Sequence, residues 1–173
     1  MDASTTTSSG TKLHGFVLRL CTGWALLGGV VLLAVIVINL VSVIGAATIG
    51  KPFPGDFEMT EMGVAIAAFA FLPYCQIAGL NVTADIFTAG ASRFWLAVFG
   101  LLAAAVAMIF AGLLLKQMYL GMVDQRTYDY TTAILQVPVW WGFAACLISL
   151  ALLVLASFAS LVDAVTEMKK RAR

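Results

Sequence analysis

Residues Leu20 to Gly50 read LCTGWALLGGVVLLAVIVINLVSVIGAATIG, without one charged side chain. At about 1.5 Å per residue, about 20 apolar residues in a helix cross a hydrocarbon layer about 30 Å thick. The stretch exceeds that length, so we expect its helix to tilt or to continue into the interface. Strands of a membrane barrel would alternate polar and apolar residues, and this stretch does not. It therefore predicts a transmembrane helix.

Three further uncharged runs follow, Met62 to Ala84, Phe94 to Leu115 and Tyr130 to Val162. Of 173 residues, 62% are hydrophobic and 11% are charged, whereas a soluble domain has about half and about a quarter. The sequence predicts an all-α integral membrane protein with four transmembrane helices and allows interfacial helical segments between them. The spans are expected over about 20–45, 62–80, 94–115 and 138–162. They form a membrane domain over 16–165, between a disordered N-terminal segment (1–15) and a basic tail (166–173).

Basic residues indicate the orientation. With four crossings, the N-terminus, the loop after the second span and the C-terminal tail share one side of the membrane. That side holds seven of the ten basic residues, namely Lys12, Arg19, Arg93, Lys169, Lys170, Arg171 and Arg173, and the other side holds Lys51, Lys116 and Arg126. Because cytoplasmic loops carry an excess of Lys and Arg, both termini are expected in the cytoplasm.

Polar and aromatic residues mark the ends of the spans. Asp56, Glu58 and Glu61 follow a break made of two prolines and a glycine, where carboxylates oppose the positive end of a helix. Pro138 suits the first turn of the last span. Trp140 and Trp141 stand where an interfacial aromatic belt is expected. The polar segment 116–137 is expected to lie along the interface, and Pro73 is expected to kink the second span.

Few residues offer chemistry inside the spans. No charge lies in a predicted hydrocarbon core, so an ion or substrate site is not indicated. The deep polar residues Asn39, Ser42, Gln76 and Ser149 are expected to bridge helices. His14 is the only histidine and is expected at headgroup level, so haem and zinc sites are not supported. We therefore expect no cofactor in this chain and no enzymatic activity.

Two other classes of function are also disfavoured. Cys21, Cys75 and Cys146 form no CxxC pair and are expected to be buried hydrophobic residues rather than redox or metal groups. The basic residues are few and form no stripe, so nucleic acid is not an expected partner. Partners are therefore expected in the membrane.

Small residues recur at three- and four-residue spacing in the last two spans. They are Gly100, Ala103, Ala104, Ala107 and Ala111 in the third, and Gly142, Ala145 and Ser149 in the fourth. Small residues let membrane helices approach closely. Two interpretations remain open at this point, packing within the chain and a seam against another membrane protein.

Three motifs resemble a known family over nearly the whole chain. They are the acidic helix entry from Pro54-Gly-Asp-Phe-Glu58 to Glu61, the segment Gly79-Leu-Asn-Val-Thr-Ala-Asp85, and the proline–tryptophan entry Val137-Pro-Val-Trp-Trp141. Together they resemble the small membrane subunit (DctQ-like) of tripartite ATP-independent periplasmic (TRAP) transporters. In the second motif Val82 and Asp85 match the family, whereas Asn81 stands where the family commonly has histidine.

The resemblance implies a non-catalytic scaffold in the bacterial inner membrane. Its partners would be a large membrane subunit (DctM-like), which carries the substrate and sodium sites and moves like an elevator, and a periplasmic binding protein (DctP-like). The cargo would be an organic acid, typically a carboxylate. Sodium is thus expected in the partner and not in this chain.

The resemblance also suggests roles for single residues. Asp85 would pair with Arg93 or cap a short interfacial helix, unless it is a solvated loop carboxylate. Asp56, Glu58 and Glu61 would contact the binding protein or simply form a solvated helix start. Trp140 and Trp141 would anchor to lipid or to the large subunit.

Two other classes of function remain as alternatives. The chain would be a stand-alone small transporter or channel if a homo-oligomer built a pore from Asn39 and Gln76. It would be the membrane anchor of a redox complex if it bound quinone or haem. Reconstitution of the chain alone tests the first alternative, and an absorption spectrum tests the second.

Overall fold

Four helices make up the described part of the chain. The computed structural model describes residues 5–79 and 93–171, with side chains over 14–79 and 98–166. The helices are α1 (Thr5–Ile49), α2 (Asp56–Ile77), α3 (Arg93–Thr127) and α4 (Trp140–Arg171). In these ranges the only extended pairing is an isolated bridge between Thr131 and Pro138. Each helix contains a segment long and apolar enough to cross a membrane. The all-α, four-span prediction is confirmed.

The first helix is longer than predicted. α1 begins at Thr5, so residues 5–15 are helical where the sequence predicts a disordered segment. The helix has 45 residues and is about 67 Å long. Once a helix is nucleated in the membrane, each added residue gains a backbone hydrogen bond at little further cost. The polar composition of the N-terminal segment therefore does not prevent helix formation.

The second helix begins six residues before the predicted Met62 and ends near the predicted point. Gly55, with a φ of 80°, precedes its first residue, Asp56. The helix passes through Pro73, which is buried, and ends at Ile77. Gly79 follows with a φ of 65°, the left-handed conformation that often terminates helices. The acidic residues therefore lie within the first turns of α2.

The last two helices also extend beyond the predicted spans. α3 continues past Lys116 to Thr127, so about half of the segment predicted to lie along the interface is a direct extension of the helix. The rest of that segment lies in a compact connection, residues 128–139, which has no helix of its own. α4 begins two residues after Pro138 and continues into the predicted basic tail. Apolar runs predict where helices cross the membrane, but not where hydrogen bonding ends them.

The bundle has one central helix. α4 packs against each of the other three, and α1 packs mainly on α2. α3 packs extensively only on α4, so α2 and α3 lie on either side of α4 without an extensive contact between them. The described helices therefore form an open arrangement rather than a closed four-helix bundle.

Glycines bring α1 and α2 together. A Cβ atom on Gly28 would lie 2.6 Å from the Cβ of Ala70, and one on Gly63 would overlap the side chain of Val35. Small residues at such crossings allow close backbone approach. The small-residue stripes predicted from the sequence lie on α3 and α4 and do not include these two glycines. They belong to no visible stripe, so only the helix pairing reveals them.

Candidate functional site

The polar contacts of the described chain concentrate where α1 ends and α2 begins, which we call the acidic end. The Ser42 hydroxyl donates a hydrogen bond to one carboxylate oxygen of Asp56 and accepts one from the backbone N–H of Phe53, at 3.1 Å. The other oxygen of Asp56 accepts from the backbone N–H of Phe57, at 2.8 Å. Asp56 therefore holds the turn between α1 and α2. It also provides an acceptor for one backbone N–H group in the first turn of α2.

A second polar bridge lies one turn deeper. The side-chain amide nitrogen of Asn39 donates to the hydroxyl of Thr60 at 2.7 Å and to the carbonyl of Val35 at 2.9 Å. The Thr60 hydroxyl is also bonded to the carbonyl of Asp56. The prediction that deep polar residues bridge helices is confirmed for Asn39. Its amide nitrogen is committed to these bonds, which disfavours the pore alternative.

Glu58 ties the α3–α4 connection to α2. Its two carboxylate oxygens accept the backbone N–H groups of Ile134 at 2.6 Å and Leu135 at 2.9 Å. The side chain of Leu135 also sits against Gly55, where a side chain would overlap it. Neither interpretation of Glu58 from the sequence included this bond. Its partners are 76 and 77 residues away, and no local pattern connects them.

Glu61 differs from its acidic neighbours. It is exposed on the next turn of α2, and the structure gives it no hydrogen bond or ion pair to any described residue. A contact with a partner remains a prediction for this side chain. Of the three carboxylates, Asp56 and Glu58 accept hydrogen bonds from other residues of the chain. Glu61 accepts none from the described residues and can bind a partner or ligand.

The connection between α3 and α4 has a defined shape. Asp129 and Gln136 adopt positive φ values of 47° and 55°. Between them the N–H of Thr132 bonds the carbonyl of Val137, and the N–H of Val139 bonds the carbonyl of Tyr130, both at 3.0 Å. These bonds fold the connection over the start of α2, where Glu58 holds it.

Aromatic residues surround the start of α4. The guanidinium of Arg126 lies 5.5 Å from the ring centroid of Trp140, a cation–π distance. Trp140 and Trp141 meet edge to face at 6.0 Å, and Trp141 is 58% exposed. Pro138 precedes the helix, and its carbonyl accepts the N–H of Trp141 at 3.2 Å. Trp140 therefore contacts Arg126 within the chain, whereas the exposed ring of Trp141 can contact lipid or a partner.

A groove opens between α2 and α3 and has α4 as its floor. Its volume is about 260 Å³. Its apolar walls include Met62, Ala65 and Phe69 of α2, Met118 of α3, and Phe143 and Cys146 of α4. Glu58, Glu61 and Thr132 line it at the acidic end. We call this space the open groove.

At the opposite end of the bundle, a polar pair joins two helices. Nδ1 of His14 lies 2.7 Å from a carboxylate oxygen of Asp163, which links α1 to α4. Beside it, the buried residues Val17, Cys21, Ile77, Ala156 and Ala159 form a small core cluster. His14 therefore serves a contact between helices. Farther along α1, toward the middle of the bundle, the indole N–H of Trp24 donates to the hydroxyl of Ser149 at 2.9 Å. Ser149 therefore also bridges helices.

The small residues of the α3 and α4 stripes differ in exposure, and only some of them are buried. Ala104 and Ala111 are buried, and they lie on the helix that packs on α4. Gly100 and Ala103 are exposed, and a Cβ on Gly100 would meet nothing within 4 Å. On α4, Gly142 lies close to the methyl end of Met62. Ala107 and Ala145 are partly buried, so packing within the chain accounts for part of both stripes.

The residues singled out between α2 and α3 lie mostly outside the described part of the chain. Asn81 and Asp85 lie outside the described residues, and Arg93 is described only as the first backbone position of α3. Their suggested roles stay predictions. Among the described residues, no group of three or more His, Cys, Asp or Glu side chains is placed to hold a metal ion.

The fold and its contacts define a multi-pass helical membrane protein, because four long apolar helices carry their polar contacts mainly near the helix ends. A protein-family model described as "Tripartite ATP-independent periplasmic transporters, DctQ component" matches residues 34–167. The chain therefore belongs to this family of transporter components, which confirms the resemblance drawn from the three motifs. No curated protein and no solved structure matches the chain.

Proposed function

We propose that this chain is the small scaffold subunit of a sodium-coupled TRAP transporter that imports organic acids. It lies in the bacterial inner membrane with both termini in the cytoplasm, so the acidic end faces the periplasm. It takes no part in catalysis and carries no sodium site. It holds the large DctM-like subunit in place, and a DctP-like binding protein delivers the substrate. Family membership supports this division of labour.

One observation carries the scaffold proposal: α1 has a long apolar surface that no other described helix covers. Residues exposed on this side extend from Leu20 to Ile49, about 44 Å along the helix. This exceeds a hydrocarbon layer about 30 Å thick, and no described helix covers these side chains. We therefore place the protein partner on this face.

The last residues of α1 extend beyond α2 and indicate where on α1 the partner binds. Ser42 lies level with the start of α2, to which it is bonded, so residues 43–49 extend past α2 at the acidic end. Val43, Ile44 and Ile49 are exposed there, at 66%, 52% and 77%. No described helix packs on these side chains, so they are free to contact a partner. We assign the α1 face, and not the exposed face of α3, to the large subunit.

Co-purification with the large subunit tests the assignment. Val37→Trp and Ile44→Trp place a bulky side chain on the α1 face, and Ile109→Trp and Leu113→Trp are matched controls on the exposed face of α3. We expect the α1 variants to lower recovery of the co-expressed large subunit by about tenfold, since a contact worth about 1.4 kcal/mol corresponds to that factor. The α3 variants should recover it normally.

Two results would contradict the proposal. Loss of the large subunit only with the α3 variants would move the interface to the other face. Sodium-driven uptake by vesicles that contain this chain and no other protein would show that it transports by itself.

A further inference from the structure

The open groove has the dimensions of a site for one hydrocarbon chain. Along α2 its lining residues run from Glu58 to Phe69, about 16 Å at about 1.5 Å per residue. Its apolar part, from Met62 to Phe69, is about 10 Å long, about a third of a hydrocarbon core about 30 Å thick. The groove therefore begins at the acidic end and reaches into one leaflet.

The lining of the groove favours an apolar chain as its occupant. Met62, Ala65 and Phe69 of α2 face Met118 and Phe143 across a space of about 260 Å³. A single extended acyl chain is slender and flexible enough to enter between Ala65 and Phe143, and the methionine side chains of the walls adapt to such a shape.

The charges at the acidic end select the headgroup. Glu58 and Glu61 both line the groove there, and none of its described lining residues is basic. Glu58 already accepts two backbone N–H groups, so Glu61 is the carboxylate that is free to bind. An ammonium group would form a charge-assisted hydrogen bond with Glu61. A headgroup with only negative charge would be repelled by both carboxylates.

We propose that the open groove binds one phospholipid with a primary ammonium headgroup, such as phosphatidylethanolamine. One acyl chain lies along Met62, Ala65 and Phe69, and the ammonium group binds Glu61. The lipid covers the space that α2 and α3 leave open on α4 and so completes the bundle. This site does not depend on the transporter proposal, because it lies within this chain alone.

Native mass spectrometry of the full-length chain tests the site. The purified protein is exchanged into mixtures with equal amounts of phosphatidylethanolamine, phosphatidylcholine and phosphatidylglycerol. We expect one tightly retained phosphatidylethanolamine per chain, held about tenfold better than phosphatidylglycerol because a hydrogen bond to a charged group is gained and a repulsion is avoided. Phosphatidylcholine, which has a positive charge without an N–H donor, should fall between them.

Two variants locate the lipid. Ala65→Trp fills the groove and should reduce retention, whereas Ala103→Trp adds the same side chain on the exposed surface of α3 and should not. Glu61→Gln removes the charge without removing any described hydrogen bond. It should leave the fold intact and abolish most of the preference for phosphatidylethanolamine over phosphatidylglycerol.

Three outcomes would overturn the proposal. One is equal retention of the three lipids by the unmodified chain. Another is equal retention by the Ala65→Trp and Ala103→Trp variants. The last is a complex with the large subunit that retains no lipid and loses that subunit specifically with Ala65→Trp, because the groove would then seat protein.

Discussion

Glu58 and Glu61 lie on successive turns of α2, yet they have different surroundings. Glu58 accepts two backbone N–H groups from the α3–α4 connection, and Glu61 makes no described contact. From the sequence they form one acidic helix start with Asp56. The structure separates a carboxylate that holds the fold from one that is available to a ligand.

Replacing Glu58 tests this difference. Glu58→Gln keeps one acceptor oxygen but loses the charge and the second acceptor, so the connection should loosen. Hydrogen exchange of the Ile134 and Leu135 amides should become faster, and the melting temperature should fall. Glu61→Gln is the matched control and should leave both quantities unchanged. Unaltered exchange in Glu58→Gln would show that the two bonds do not hold the connection.

Two buried serines on α4 form a second matched pair. The Ser149 hydroxyl accepts from Trp24 and donates to the carbonyl of Ala145, whereas the Ser157 hydroxyl has no partner among the described residues. Ser149→Ala should lower the free energy of unfolding by about 1 kcal/mol, the usual worth of such a bond. Ser157→Ala removes an unsatisfied hydroxyl and should be neutral or stabilising.

Reversible unfolding of the purified chain in mixed micelles measures both serine variants. Equal destabilisation by the two changes would mean that the Trp24 bond adds nothing to the burial of a small side chain.

At the scale of helices, the close pairs differ in the size of the residues at their contacts. α1 and α2 meet through Gly28 and Gly63. α3 meets α4 through Ala104 and Ala111, and near the acidic end Phe143 lies against Gly121. A Cβ on Gly28 or Gly63 would overlap Ala70 or Val35, whereas one on Gly121 would meet only the ring edge of Phe143, at 3.0 Å. The α1–α2 pair should therefore be the more sensitive to added volume.

Adding one methyl group tests that sensitivity. Gly63→Ala places a Cβ against Val35, a stiff β-branched side chain, and should cost about 1–3 kcal/mol through overpacking. Gly112→Ala is the control, because it lies in a helix with open space around it. It should be neutral or stabilising by up to about 1 kcal/mol from helix propensity. Equal melting temperatures would place α1 and α2 farther apart.

At the scale of the whole molecule, orientation is the property that decides which partner reaches which end. The proposed arrangement puts the acidic end outside the cell and the His14–Asp163 pair near the cytoplasm. Thr48 and Thr166 are exposed residues at these two ends. They offer a matched pair of labelling positions.

Cysteine labelling checks the orientation. In a chain whose native cysteines have been replaced, Thr48→Cys should react with a membrane-impermeant maleimide in intact cells. Thr166→Cys should react only after the membrane is opened. The reverse pattern would invert the topology and separate the acidic end from a periplasmic binding protein.

Much of the architecture is determined by the sequence itself. Uncharged runs such as Leu20 to Gly50 predict four membrane-crossing helices, because hydrocarbon tolerates a chain only when its backbone bonds are satisfied internally. The three motifs lead to the DctQ family, which the family match confirms. Asn39 and Ser149 bridge helices as the sequence predicts, because a buried polar group in a membrane needs a partner.

The tertiary structure alone decides how these helices meet. Helix ends at Thr5 and Thr127 depend on hydrogen bonding that continues beyond the apolar runs. The backbone N–H of Leu135 donates to the carboxylate of Glu58, and the open groove lies between α2 and α3. Both features require residues far apart in the chain to come together. Hydropathy is a property of each segment, so it predicts that a helix crosses the membrane. Pairing depends on the shapes of two surfaces at once, which no single segment contains.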